Sequence, residues 1–376
     1  MATINEYYPE SVTHPSDFLI ESLEEKQIGA KEFAVKTGKP EKTITALLKG
    51  ESSITPDMAI LFEQVLKIPA HFWIEAQRNY DEYIARVNFQ EKIEQCKEWA
   101  KNFPYPEMAN LGWVKKTKKL EEKVVELFNF FEVASQKGFE DYYYNQRTKV
   151  AFRISLKNQE NATSIAAWLR QGELEAEKIN SPDFNMAVFK KKLPEIKAVM
   201  AKQPNNFFEE LHDICKSAGV KVVYTPCLPK APVHGSTRWI KDVPLIQLSG
   251  RYRRNDIFWF TFFHEVGHIL LHGKKYISIE NMDIEGENKD FENEADNFAS
   301  DWILSKKEEQ EILSLNRLTY DDIVKYAEKF GTHPACIIGR FQYEKIIPYG
   351  MGNELFEPIN FDSNNKTLPN KSVKHK

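Results

Sequence analysis

The stretch FFHEVGHILLHG, Phe262 to Gly273, constrains this chain more than any other part of it. It belongs to an apolar run, Asp256 to Leu271, that reads as a buried helix, and on a helix positions i and i+4 project from one face. His264 and His268 therefore stand one above the other, able to offer two imidazole nitrogens to one zinc ion. Glu265 sits beside them, where the HExxH arrangement needs a carboxylate to take a proton from water made acidic by the metal. Two histidines on an apolar helix can equally be core side chains bonded to backbone carbonyls, so the pair alone does not decide.

A third ligand has to come from elsewhere. The segment ENEADNFASDWIL, starting at Glu292, reads as a second helix with Ala295, Phe298, Ala299, Trp302 and Ile303 on its packed side. Glu292 would complete a His2Glu set and leave the fourth zinc position open for water, as hydrolysis requires; Glu294 is its rival. Asp296, one turn beyond Glu292, is suited to accept from the outward ring nitrogen of His264, a relation that favours Glu292 as the ligand. His272 extends the i, i+4 series, but a fourth protein ligand would close the site, so it reads as packing or loop anchoring. A tetrahedral intermediate needs a donor for its oxyanion, and His333, His234 and Tyr252 are the candidates.

HEVGHILLH followed by ENEADNFASDWIL resembles the ImmA/IrrE family of zinc metallopeptidases, whose pattern is HExxH, an apolar stretch and then ExxANxFA. Asp296 stands where the pattern usually has Asn. The resemblance covers about residues 205–345 and implies His264, His268 and Glu292 as zinc ligands with Glu265 as general base. It also implies an endopeptidase acting on a protein substrate, such as a transcriptional repressor or the chain itself.

Upstream the texture differs. From His14 to about Arg86 short helical stretches are punctuated by Gly38, Pro40, Gly50 and Thr55-Pro56, the residues that stop and start helices. Apolar positions recur at helical spacing: Phe18, Leu19, Leu23 and Ile28, then Phe33 with Ala34, Ile44 with Leu47 and Leu48, and Ile60 with Leu61, Val65 and Leu66. Ala30 to Gly50 has the form of a helix-turn-helix whose second helix turns Lys39, Lys42, Thr43, Ala46 and Lys49 outward. With Lys31 and Lys36 these make a local basic face suited to phosphate and base-edge contacts. That face matters because the net charge of −4 excludes a chain coated in basic residues. The stretch HPSDF to AHFW is similar to the XRE-type helix-turn-helix of HigA antitoxins, over about residues 12–86. This resemblance implies an operator DNA partner, and a toxin is a further candidate partner. Such DNA readers commonly bind paired half-sites, so a homodimer is expected.

Residues 87–204 read as a helical linker or middle region, with Thr148 to Ser155 as a weak strand candidate. Beyond Gly219 come three short β-branched runs, Val220–Thr225, Ser236–Ile240 and Leu245–Ser249, of which the second or third is the expected edge for a substrate strand. The tail, residues 358–376, is polar and expected to be disordered. The fold class is thus α+β, mainly α with a small β-sheet. A chain of 376 residues with 42% hydrophobic content suits about two or three domains. Cys96, Cys215, Cys227 and Cys336 lie far apart with no CxxC pair, and no apolar run is long enough for a membrane helix, so a cytoplasmic protein with reduced thiols is expected.

The two halves together predict a DNA-binding regulator fused to a zinc endopeptidase. The competing expectation is a HigA-like antitoxin or repressor whose peptidase-like part binds a partner without catalysis.

Overall fold

The structure, a computed structural model, describes residues 11–146, 159–275, 278–279, 288–315 and 318–361. It falls into two compact units, Met1–Cys96 and Lys97–Lys376. Thr148–Ser155 and residues 362–376 lie outside the described residues. The architecture is mostly helical with one small sheet.

Over its described residues the first unit is five helices: α1 Pro15–Glu25, α2 Ala30–Thr37, α3 Glu41–Leu48, α4 Pro56–Leu66 and α5 Ala70–Gln95. His14 caps α1 through the Ser16 amide and Thr55 caps α4 through the Met58 amide, each followed by proline in the first turn. Gly38, at φ +66°, closes α2 in the left-handed conformation that glycine adopts without a Cβ clash. Leu19, Phe33, Ile44, Phe62 and Trp73 form the centre of the core, each fully buried large side chain contributing roughly 1.5–3 kcal/mol. Two expectations are corrected. Ile60 is 54% exposed, because Ala59, Phe62 and Leu66 supply the packed face of α4. Helix α5 does not stop near Arg86 but runs to Gln95, since QEKIEQ contains good helix formers with no Gly or Pro and Ile93 is buried.

The second unit opens with α6 Lys97–Lys101, α7 Tyr105–Asn110, α8 Leu120–Phe131 and α9 Gln136–Phe139. They meet in an aromatic nest, with Trp99–Phe103 and Phe131–Phe139 both edge-to-face at 4.8 Å. Then follow α10 Gln159–Glu177, α11 Met186–Lys202, α12 Phe207–Ser217, and strands β1 Lys221–Tyr224, β2 Gly235–Ile240 and β3 Val243–Leu248. Helix α13 Asn255–Gly267, the two-residue β4 Ser278–Ile279, α14 Asn288–Ile303, α15 Lys306–Leu313, α16 Tyr320–Phe330 and α17 Pro334–Tyr343 complete it.

Among the described residues the sheet order is β1-β3-β2-β4, with β1 parallel to β3 and the other pairs antiparallel. Alternation decides what each face meets. Val222, Ile246 and Leu248 join the main core with α13, and the Thr237 hydroxyl bonds the Glu265 carbonyl at 3.1 Å. Val223 and Leu245 pack with Ala176 of α10 on the other face. There the Arg238 guanidinium pairs with Glu173 at 2.9 Å, and Gln247 donates to the Trp168 carbonyl at 2.6 Å.

Three further expectations give way to this arrangement. Leu245–Ser249 is not an edge, because β3 lies between β1 and β2; Ser236–Ile240 is paired outward at Ser236 and Thr237, opposite β4. The division between 87–204 and 205–345 is not a division in the fold, because the apolar face of α10 is buried on the sheet and its Trp168 indole donates to Thr225 O. The tail is held as far as Phe361: Ile359 N bonds Arg253 O, and the Phe361 ring stacks on Tyr224 at 3.7 Å. Two apolar side chains, Ile359 and Phe361, give this polar segment something to bury. None of the cysteines is in a disulfide, and among the described residues no helix is long and apolar enough to cross a membrane.

Candidate metal centre

Helix α13 is buried along nearly its whole length, and its His264 and Glu265, with His268 just beyond its end, are all buried. After Gly267 the backbone widens into a π-turn over His268–His272, a local departure that recurs at functional sites. The Nε2 atoms of His264 and His268 face each other at 2.9 Å. Helix α14 crosses against them and delivers Glu292, whose Oε2 lies 3.1 Å from His264 Nε2 and whose Oε1 lies 3.4 Å from His268 Nε2. All three donor atoms fall within 4.8 Å of one another.

This set fits a tetrahedral zinc ion, whose bonds of roughly 2.1 Å set neighbouring ligand atoms about 3.4 Å apart. Protonation suits it as well. Burial pushes His268 down to about 4, and the neighbouring His264 adds to the fall although Glu292 opposes it, so the ring is neutral near pH 7. Burial would raise the Glu292 carboxyl, but the facing His264 and His268 imidazoles outweigh it and hold the group well below the usual carboxylate range. A carboxylate and a neutral imidazole are the forms that ligate.

The outward nitrogens are engaged too. His264 Nδ1 donates to Asp296 Oδ1 at 2.8 Å. His268 Nδ1 lies 2.9 Å from His272 Nδ1, and His272 Nε2 donates to Glu294 Oε2 at 3.0 Å. Glu294, the rival ligand, thus points to His272 and not into the centre. Nothing in the spacing named His272 as a partner of His268 beyond its continuing the i, i+4 series.

Two glycines set the close approaches. A Cβ on Gly267 would sit 3.1 Å from Ala295 Cα, so α13 and α14 touch backbone to backbone where Glu292 must reach the imidazoles. A Cβ on Gly235 would sit 2.8 Å from Glu265 Oε1, so the start of β2 lies directly over the fully buried Glu265 carboxylate.

The oxyanion candidates separate by position. His333 caps α17: its Nδ1 accepts from Ala335 N at 3.2 Å and from Asn255 Nδ2 at 3.2 Å, with Glu357 3.6 Å from Nε2. His234 directly precedes Gly235, and its ring meets that of Tyr252 edge-on at 5.5 Å. Burial, with Arg251 adding to it, lowers His234 to about 4. Tyr252 is 61% exposed and held at φ +67°, a strained setting for a bulky residue.

In the first unit Lys42 and Lys49 are exposed, while Lys39, Thr43 and Ala46 are half-buried along α3 and its preceding turn. Lys31 and Lys36 are exposed on α2, Lys36 being paired with Glu32 at 2.6 Å.

An HExxH helix under a small sheet, with a glutamate from a second helix, defines a metallopeptidase-like domain. Residues 215–337 match the model of the Peptidase_M78 family, the IrrE N-terminal-like domain, in line with the ImmA/IrrE resemblance of the motifs. Over the N-terminal region the chain is similar to an addiction module antidote protein of the HigA family from Coxiella burnetii, at 31% identity and TM-score 0.21, covering 22% of this chain and 91% of that one. It is also similar to the Pseudomonas aeruginosa antitoxin HigA solved with the higBA promoter, at 26% identity and TM-score 0.22, covering 23% of this chain and 94% of that one. No curated protein is significantly similar to the chain.

Proposed function

We propose that the second unit is a zinc-dependent endopeptidase and that the first reads operator DNA, making the chain a regulator that acts by cleaving a regulatory protein, a repressor or itself. The observation that carries this reading is the convergence of His264 Nε2, His268 Nε2 and Glu292 beside a fully buried Glu265. His264, His268 and Glu292 would hold the ion, whose Lewis acidity makes water nucleophilic near neutral pH.

The rest is the work of the protein's own groups. Glu265 takes the proton from the attacking water and passes it to the leaving amine. Asp296 keeps the His264 proton on Nδ1, so that the Nε2 lone pair faces inward. His234 directly precedes Gly235, whose backbone lies over Glu265, and Tyr252 meets the His234 ring; with His333 these are the candidates to donate to the oxyanion. The exposed lysines of α2 and α3, with Thr43 and Ala46 between Lys42 and Lys49, support DNA contact by α3.

The test is metal content and Glu265→Gln. The parent should hold one zinc per chain and cleave its substrate, and the variant should hold zinc but cleave at least about 100-fold more slowly. Parent protein without stoichiometric zinc, or a variant as active as the parent, would exclude the enzyme. A variant that regulates normally would point instead to a partner-binding antitoxin.

A further inference from the structure

The two histidines of the centre are braced differently. His264 meets a carboxylate directly, through Asp296, whereas His268 meets a third imidazole, His272, which in turn meets Glu294. Resting on the zinc reading above, we propose that Glu294 and His272 form a relayed brace that orients His268 and sets the affinity of the centre.

Proton placement fixes the direction of the relay. His268 turns Nε2 toward Glu292 and His264, so as a ligand it must carry its proton on Nδ1. The atom facing that N–H is His272 Nδ1 at 2.9 Å, which can accept only if the His272 proton sits on Nε2. Nε2 faces Glu294 Oε2 at 3.0 Å, a carboxylate that accepts and cannot donate when ionised. Each link thus dictates the tautomer of the next, and only one direction of donation satisfies all three residues. The π-turn carries His272 into this position, and the Phe291 ring packs on it at 4.5 Å between centroids, limiting its rotation. The same geometry explains why a third histidine on this helix does not close the coordination sphere: its near nitrogen is committed to His268 Nδ1, on the side away from the centre.

Both residues are positioning residues that act through His268, and the order of the chain is testable. Zinc affinity of the full-length protein is measured by competition with a chelator, together with the visible spectrum of the cobalt(II) form. Glu294→Ala and His272→Ala should each weaken zinc binding about 10–100-fold and shift the cobalt bands. Glu294→Gln, which keeps an acceptor oxygen without the charge, should fall between Glu294→Ala and the parent. The double variant should bind no worse than His272→Ala alone, because Glu294 has no other route to the metal. The Glu294 side chain is 58% exposed, so its replacement leaves the fold intact, as the melting of the metal-free proteins will register. Parent-like affinity and spectrum in Glu294→Ala would overturn the brace, as would losses in the double variant that multiply. A parent that binds no zinc would overturn both the brace and the enzyme reading, whereas equal binding by parent and variants would overturn the brace alone.

Discussion

Gly267 and Ala295 lie in backbone contact: a Cβ on the glycine would stand 3.1 Å from Ala295 Cα and 3.4 Å from Phe298 Cβ. The separation of α13 and α14, and with it the reach of Glu292, is set at this point. Gly267→Val forces the helices apart and should cost about 1–3 kcal/mol of stability by overpacking. The same change should weaken zinc binding, read by thermal melting with and without metal. If the melting temperature drops and zinc affinity stays at the parent value, this contact does not set the ligand geometry.

Asp296 holds the other imidazole. Asp296→Ala should lower zinc affinity about tenfold, while Asp296→Asn, whose amide oxygen still accepts from His264 Nδ1, should stay close to the parent. Chelator competition measures both. Equal losses in the two variants would mean that the charge matters and the hydrogen bond does not.

The half-buried His234 supplies a pH dependence. Its folded value is lowered from 6.5 to about 4, so between those limits the unfolded chain binds the proton and the folded one does not. The stabilisation is complete above pH 6.5 and lost as pH falls toward 4. Because the ring is partly open to solvent, the loss should be about 1–2 kcal/mol and no more. His234→Gln should flatten the stability profile across this window, and the His234 ring resonances should titrate near pH 4. A midpoint near 6.5 in the folded protein would refute it.

For the first unit the variable is salt. Lys42→Ala combined with Lys49→Ala should weaken binding to all DNA sequences alike and reduce the slope of log affinity against log salt by about 2. Thr43→Ala should instead alter the preference among sequences. Filter or anisotropy binding at several salt concentrations separates these outcomes, and an unchanged slope would remove α3 from the DNA-contacting surface.

Much was legible because it is local. A period of 3.6 placed His264 and His268 on one face, the spacing of Glu292 to Asp296 put them one turn apart, and the caps Thr55 and Gly38 marked helix ends by their chemistry alone. The runs around Val222, Thr237 and Ile246 read as strands because β-branched residues in short alternating segments fit little else.

What the one-dimensional pattern left open were relations across elements. Glu292 and Glu294 are equally acidic and two residues apart, and only the crossing of α13 and α14 turns one toward the imidazoles and the other toward His272. Strand order likewise depends on which hydrogen-bonding edges meet, a matter of pairing that composition does not encode, and it moved β3 from edge to interior. Helix α10 looked like a linker until its apolar face met the sheet. Periodicity determines which side chains share a face; which faces then touch is decided by packing among residues far apart in the chain.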